Sequence, residues 1–176
     1  MNCLSRRAKR PLVIIAVAAA LLGAMHAVLG LAGIEPVLNL TLSARRGVYV
    51  VRPLHPEQLK RGDIVRFTVP VSFERYLYGR GWLRPGMPLL KAAAGMPGDR
   101  VCIEHGRIRL SGVDFGPVFA QDSQGLPLPA RTGCSTIPAG FFLPMSTFYD
   151  RSFDGRYMGA VPVSLITGQA ELLWTF

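Results

Sequence analysis

The sequence is poor in histidine, cysteine and lysine, and the scarcity of the first two removes a class of function. Three histidines and three cysteines are scattered through 176 residues without a CxxC pair. His55 and His105 stand isolated, so zinc ligation has no support. Aromatics make up 9% of the chain and do not interleave with the arginines as in a base-stacking surface, so no nucleic acid partner is expected despite a formal charge of +9. From Pro11 to Ile34 (PLVIIAVAAALLGAMHAVLGLAGI) there is no Asp, Glu, Lys or Arg at all. A helix needs about that many apolar residues to cross roughly 30 Å of hydrocarbon.

Four basic residues, Arg6, Arg7, Lys9 and Arg10, precede this run, where the cytoplasmic flank of a span belongs. The expected organisation is a cytoplasmic basic tail (1–10), a transmembrane anchor (11–34) and a single exported domain (35–176). In a bacterium that is a single pass through the inner membrane with the domain in the periplasm. A cleavable secretory signal begins in the same way, but this apolar stretch is long for one, which favours a retained anchor. His26 has no second polar residue at helical spacing and reads as a tolerated neutral imidazole. Cys3 falls on the cytoplasmic side. Cys102 and Cys134 both fall in the exported domain, where one disulfide is permitted; two buried free thiols are the alternative.

The exported part reads as mainly β. Val48 to Arg52 is β-branched and aromatic, and Asp63 to Val69 alternates, with a turn at Arg61-Gly62-Asp63. Ser72 to Leu83 reads as a short helix or an interfacial loop, with Tyr76, Tyr78 and Trp82 either at lipid headgroups or packed on a domain rim. Pro88 to Ala94 is a short apolar segment closed by a turn at Gly95 to Asp99. Arg100 to Leu110 is a hairpin about His105-Gly106. Gly112 to Thr132 is expected as a surface loop, Ile137 to Leu143 as a strand, Asp150 to Gly159 as a polar, turn-rich stretch, and Glu171 to Phe176 as a closing strand.

Of the three lysines, set against seventeen arginines, Lys91 is the unusual one. Leu89, Leu90 and Ala92 to Ala94 bracket it, and burial among them disfavours the ammonium form and lowers the pKa, as a general base near neutrality requires. The alternative is an edge-strand lysine that points outward. A lysine base needs a nucleophile; the sequence offers no plausible cysteine and no well-placed histidine for a conventional triad, and serine with lysine is a known alternative. Ser43 lies about nine residues past the expected span, a short reach from the membrane surface, although a serine in such a place is often only a turn residue.

The segments NLTLSARRGVYVVRP, RGDIV, YGRGWLRPGMPLLKAAAGMPGD and SFDGRYMG, in this order after an anchor, resemble the signal peptidase superfamily of serine/lysine peptidases (family S26) and, within it, the TraF-type conjugative-transfer branch. The resemblance implies an antiparallel β-domain of signal-peptidase type and a membrane-anchored endopeptidase that processes exported precursors. In that branch the precursor is a conjugative pilin, cleaved and in some relatives cyclised. It assigns Ser43 as nucleophile, Lys91 as general base, Thr41 as an oxyanion-supporting hydroxyl and Ser152 as the hydroxyl that orients the lysine. Asp154 and Arg156 match the last motif, as a structural ion pair or, for Asp154, with a part in catalysis. The partners implied are a pilin or other exported precursor and the inner membrane, and no metal or organic cofactor is implied. Two departures stand out. Ala44, Arg45 and Arg46 follow Ser43 where Met or Pro is common, and Gly155 replaces a common serine. A general type I signal peptidase, and a non-enzymatic anchored β-domain of a pilus or secretion complex, are the rival readings.

Overall fold

The computed structural model describes residues 6–129 and 131–176. The chain divides into two units, one reaching Glu35 and the other running from Pro36 to Phe176.

The first unit is the helix α1 (Arg6–Leu31). Its segment Arg10–Leu31 is long and apolar enough to cross a membrane, and at 1.5 Å per residue it extends about 33 Å. The helix stops three residues short of the expected anchor end. Gly33 adopts φ 65°, its N–H donates to Gly30 O (3.0 Å) and the Ile34 N–H donates to Leu29 O (2.8 Å). This is a glycine-centred Schellman cap, and a residue with a Cβ fits that left-handed position poorly.

The second unit is built from strands. Along the chain come β1 (Glu35–Asn39), β2 (Gly47–Arg52), β3 (Ile64–Phe67), a short helix α2 (Glu74–Leu77), β4 (Leu89–Gly95), β5 (Arg100–Glu104), β6 (Arg107–Leu110), β7 (Val113–Pro117), β8 (Gly133–Thr136), β9 (Phe141–Met145), a second short helix α3 (Gly155–Met158), β10 (Val161–Pro162) and β11 (Ile166–Thr175). One sheet has the order β1-β2-β11-β3-β4-β9-β10 and the other β7-β6-β5-β8. Pairing is antiparallel from β2 through β10 in the first sheet and throughout the second. The fold class is therefore the expected one, an apolar N-terminal helix with a mainly antiparallel β-domain.

Burial follows the pleat. In β3, Val65 and Phe67 are buried, and in β4 alternate residues from Leu89 point inward. One apolar cluster gathers Val65, Phe67, Leu89, Ala93 and Phe142 with Phe153 and Tyr157. A second lies between the sheets and includes Val101, Ile103, Ile108, Leu110, Leu143 and Met145.

Three segments differ from the sequence expectation. The stretch 112–132 is not wholly a loop, because β7 pairs with β6. Its Gly116 and Pro117 hide the strand pattern, and they are tolerated because β7 is an edge strand. The strand expected at 137–143 begins later, at Phe141, because Gly140 takes φ 78° and Pro138 to Phe141 form a turn. The closing strand begins earlier, at Ile166, since β11 lies between β2 and β3 and pairs with both. The aromatic residues of 72–83 pack on the β-domain. Tyr76 stacks on Phe153 with ring centroids 5.5 Å apart, and Trp82 lies 5.8 Å from the same ring.

Cys102 on β5 and Cys134 on β8 are register partners, and their sulfurs are joined 2.05 Å apart across 32 residues of chain. A link that closes a loop of this size restricts the unfolded chain, and its loss costs about 2–4 kcal/mol. Cys134→Ser is therefore expected to lower the denaturant midpoint of the full-length protein. An unchanged midpoint, together with three titratable thiols in the parent where the bridged chain has Cys3 alone, would show that the bond does not form.

Candidate active site

Ser43 lies in the turn 40–46 that joins β1 to β2, and it is half-buried. Tyr49 on β2 pins the turn from outside, its hydroxyl donating to Arg45 O (2.8 Å), while Ala44 is buried against Tyr49, Val51 and Ala170. Asn39, the last residue of β1, holds the turn from within through hydrogen bonds to Thr41, Ala44 and Arg45. Thr41 Oγ1 lies 3.3 Å from Ser43 Oγ.

Lys91 is on β4, which lies between β3 and β9, so it is not an edge residue. It occupies the inward register of the strand, and only 1% of its surface is exposed. Burial pushes its pKa down from 10.5 to about 8; Asp154 opposes that shift and Arg156 reinforces it. Lys91 Nζ donates to Ser152 Oγ at 2.5 Å, and Ser152 is itself buried. The hydroxyl of Ser152 thus fixes the direction of the amine.

Asp154 and Arg156 form a buried pair beside this lysine. Arg156 Nη1 lies 2.5 Å from Asp154 Oδ2, and the same carboxylate accepts from the Ser146 N–H (2.9 Å) and the Arg156 N–H (3.0 Å). Asp154 thereby caps α3. Burial raises its pKa, and the Arg156 guanidinium pulls in the opposite direction. Arg156 Nη2 donates to Phe115 O (2.6 Å), which ties β7 to this corner of the domain.

Thr41, Ser43, Lys91 and Ser152 all line one cavity of about 330 Å³. No hydrogen bond joins Ser43 to Lys91 directly; each is held by its own hydroxyl partner and both face the same space. The other walls are mainly apolar, with Leu77, Trp82, Leu89, Phe119, Leu128 and Phe153 among them. A buried amine of lowered pKa and a serine hydroxyl at one apolar, peptide-sized cavity are suited to acyl transfer.

A family model described as signal peptidase, peptidase S26, matches residues 7–175. The chain belongs to the S26 signal peptidase family. Among curated proteins it is similar to the conjugal transfer protein TraF of Agrobacterium fabrum, 35% identical over 158 residues, covering 85% of this chain and 87% of that protein. It is also 35% identical to TraF of Agrobacterium tumefaciens over 152 residues, covering 79% of this chain and 82% of the relative. A probable TraF of Sinorhizobium fredii is 30% identical over 149 residues, covering 79% of this chain and 77% of that protein. Among solved structures, a signal peptidase I from Enterococcus faecalis aligns with a TM-score of 0.38 at 22% identity, covering 66% of this chain and 97% of that one.

Of the two departures from the signal peptidase pattern, the glycine at 155 has a local packing cause. A Cβ at Gly155 would lie 2.7 Å from Leu143 Cδ1 and 2.8 Å from Pro144 O, so the common serine has no room in this packing. After Ser43, Arg45 sets its guanidinium 5.2 Å from the ring centre of Phe148, which gives the polar side chain an aromatic support. Two features of the site escaped the sequence reading. One is the role of Asn39, for which the only signal was a polar residue at each alternate position of Asn39-Leu40-Thr41-Leu42-Ser43. The other is the pair Arg80–Asp122 (2.6 Å), which links the α2 region to the cavity wall across 42 residues of chain. No local pattern announces so distant a pairing.

Proposed function

We propose that this S26 family member is a membrane-anchored serine endopeptidase in which Ser43 is the nucleophile and Lys91 the general base, and that it matures a pilin precursor in a conjugation system. The observation that carries the reading is the shared cavity of Ser43 and Lys91, with the amine buried, oriented by Ser152 and brought to a pKa of about 8. The similarity to conjugal transfer proteins supports the choice of a pilin over the wider set of exported proteins. In this topology residues 1–10 are cytoplasmic, residues 11–34, which include most of α1, are the anchor, and the domain from residue 35 onward lies in the periplasm.

Neutral Lys91 takes the Ser43 proton as Oγ attacks the scissile carbonyl. The main-chain N–H of Ser43 is the donor proposed for the developing oxyanion, a role the family resemblance also gives to the Thr41 hydroxyl. Lys91 then returns the proton to the leaving amine, the C–N bond breaks, and an ester to Ser43 remains. Water attacks the ester with its proton passing to Lys91, which releases a carboxylate and restores the serine. If the amino terminus of the acyl peptide attacks instead, the product is a cyclic peptide lighter by one water. Asp154 and Arg156 hold the lysine's surroundings and take no proton in this scheme.

The test is processing of a co-expressed pilin precursor by the parent and by Ser43→Ala. The parent should convert the precursor and the variant should leave it uncleaved, a loss of at least about a thousandfold. Mass spectrometry of the product distinguishes a linear from a cyclic chain. Equal processing by parent and variant would reject Ser43 as nucleophile.

A further inference from the structure

Asn39 has 6% of its surface exposed, and its amide organises the turn that carries Ser43. Nδ2 faces three carbonyl oxygens, those of Thr41 (3.2 Å), Ala44 (3.3 Å) and Arg45 (3.0 Å). Three acceptors around one amide atom identify it as the nitrogen, and the other atom is therefore the oxygen. That oxygen accepts from the Thr41 main-chain N–H (3.2 Å) and from the Thr41 hydroxyl (2.7 Å). A threonine hydroxyl has a single proton. With that proton directed to Asn39 Oδ1, Thr41 Oγ1 presents only lone pairs to Ser43 Oγ at 3.3 Å. In this contact Ser43 donates and Thr41 accepts.

We propose that Asn39 is a positioning residue acting through Thr41: it makes the Thr41 hydroxyl an acceptor for the Ser43 O–H and so fixes the nucleophile's Oγ at the cavity before attack. The inference rests on the assignment of Ser43 and Lys91 made above. The relay describes the site before attack: to donate to an oxyanion afterwards, the Thr41 hydroxyl exchanges its 2.7 Å bond to Asn39 for one to the substrate oxygen. During acylation the Ser43 proton leaves Thr41 for Lys91, while Asn39 holds the turn through the carbonyls of Ala44 and Arg45.

The experiment is a double-mutant cycle on the full-length protein in detergent, reading kcat and KM for a precursor peptide in the parent, Asn39→Ala, Thr41→Val and the double variant. Removing the relay should lower kcat about tenfold or more at nearly constant KM, as expected when an aligning hydrogen bond is lost. In the Thr41→Val background the effect of Asn39→Ala should shrink to less than about threefold, because coupled residues are not additive. Thr41→Ser, which restores the hydroxyl, should recover most of the rate. An Asn39→Ala loss of equal size in both backgrounds would show that the amide merely scaffolds the turn, and would overturn the proposal. An unchanged or faster Asn39→Ala would also overturn it, because freeing the Thr41 proton would then serve the oxyanion. If Asn39→Ala does not fold, Asn39→Ser takes its place in the same cycle, and the same outcomes decide. Ser43→Ala is run alongside. Parent-like cleavage by that control rejects the peptidase reading itself, whereas an inactive control beside fully active Asn39→Ala and Thr41→Val rejects only the relay.

Discussion

Lys91→Met should reduce turnover roughly ten-thousandfold, the upper range for loss of a positioned general base, and should also flatten the dependence of stability on pH. In the parent, kcat/KM should rise about tenfold per pH unit below the lysine's pKa and level off above about 8, the value to which burial lowers it. The linkage has a definite sign. The unfolded lysine titrates near 10.5 and the folded one near 8, so between these values the unfolded chain binds more protons and stability rises with pH. Below pH 8 the cost of holding the ammonium buried is fully present; above pH 10.5 it is gone. The difference corresponds to about 3 kcal/mol. Denaturation of parent and Lys91→Met across this window should therefore diverge, with the parent gaining on the variant as pH rises. Parallel curves would mean that residue 91 is not held in a depressed state, and the base assignment would lose its physical ground.

The second large effect is expected from Arg156→Met. The guanidinium is 1% exposed and its partner Asp154 is fully buried. Removing the cation leaves a carboxylate with only the Ser146 and Arg156 main-chain donors, and it also severs the bond to Phe115 O on β7. Breaking one side of a buried pair costs about 3–5 kcal/mol, most of it the stranded charge. Asp154→Asn added to Arg156→Met should recover a substantial part of that loss, because it removes the charge and keeps an acceptor for the cap. A loss below about 1 kcal/mol in Arg156→Met, or none recovered in the double variant, would show that the pair is not what holds this corner. Activity reports on the same contact. Arg156 helps to depress the lysine, so the midpoint of the pH profile should move upward in any folded Arg156 variant.

Residue types made much of the site legible. Lys91 stood out because Leu and Ala flanked it, and burial among apolar neighbours is a local consequence of local composition. Its alternation within β4 placed the amine on the inward face. Ser152, Asp154 and Arg156 were named from a resemblance of short motifs, and the structure puts Ser152 on the lysine and the Asp154–Arg156 pair close by. The relay through Asn39 was not legible. It depends on a turn folding back so that one amide meets three carbonyls, and the turn's conformation is set by contacts with β2. The pair Arg80–Asp122 and the edge strand β7 escaped for a related reason. Each relies on a partner far away in the chain, and Gly116 and Pro117 obscure the pattern of a strand whose exposed edge excuses them.

The sequence by itself determined an apolar helix preceded by basic residues, a mainly β-domain, and one lysine too apolar in its surroundings to be an ordinary surface charge. These follow from composition and periodicity, which act over a few residues. Tertiary structure alone decided that the hydroxyl of Ser43 and the amine of Lys91 open onto one cavity, and which hydroxyl orients each. The groups come from β4, the β1–β2 turn and the segment before α3, and only sheet pairing across more than a hundred residues brings such separated pieces of chain together.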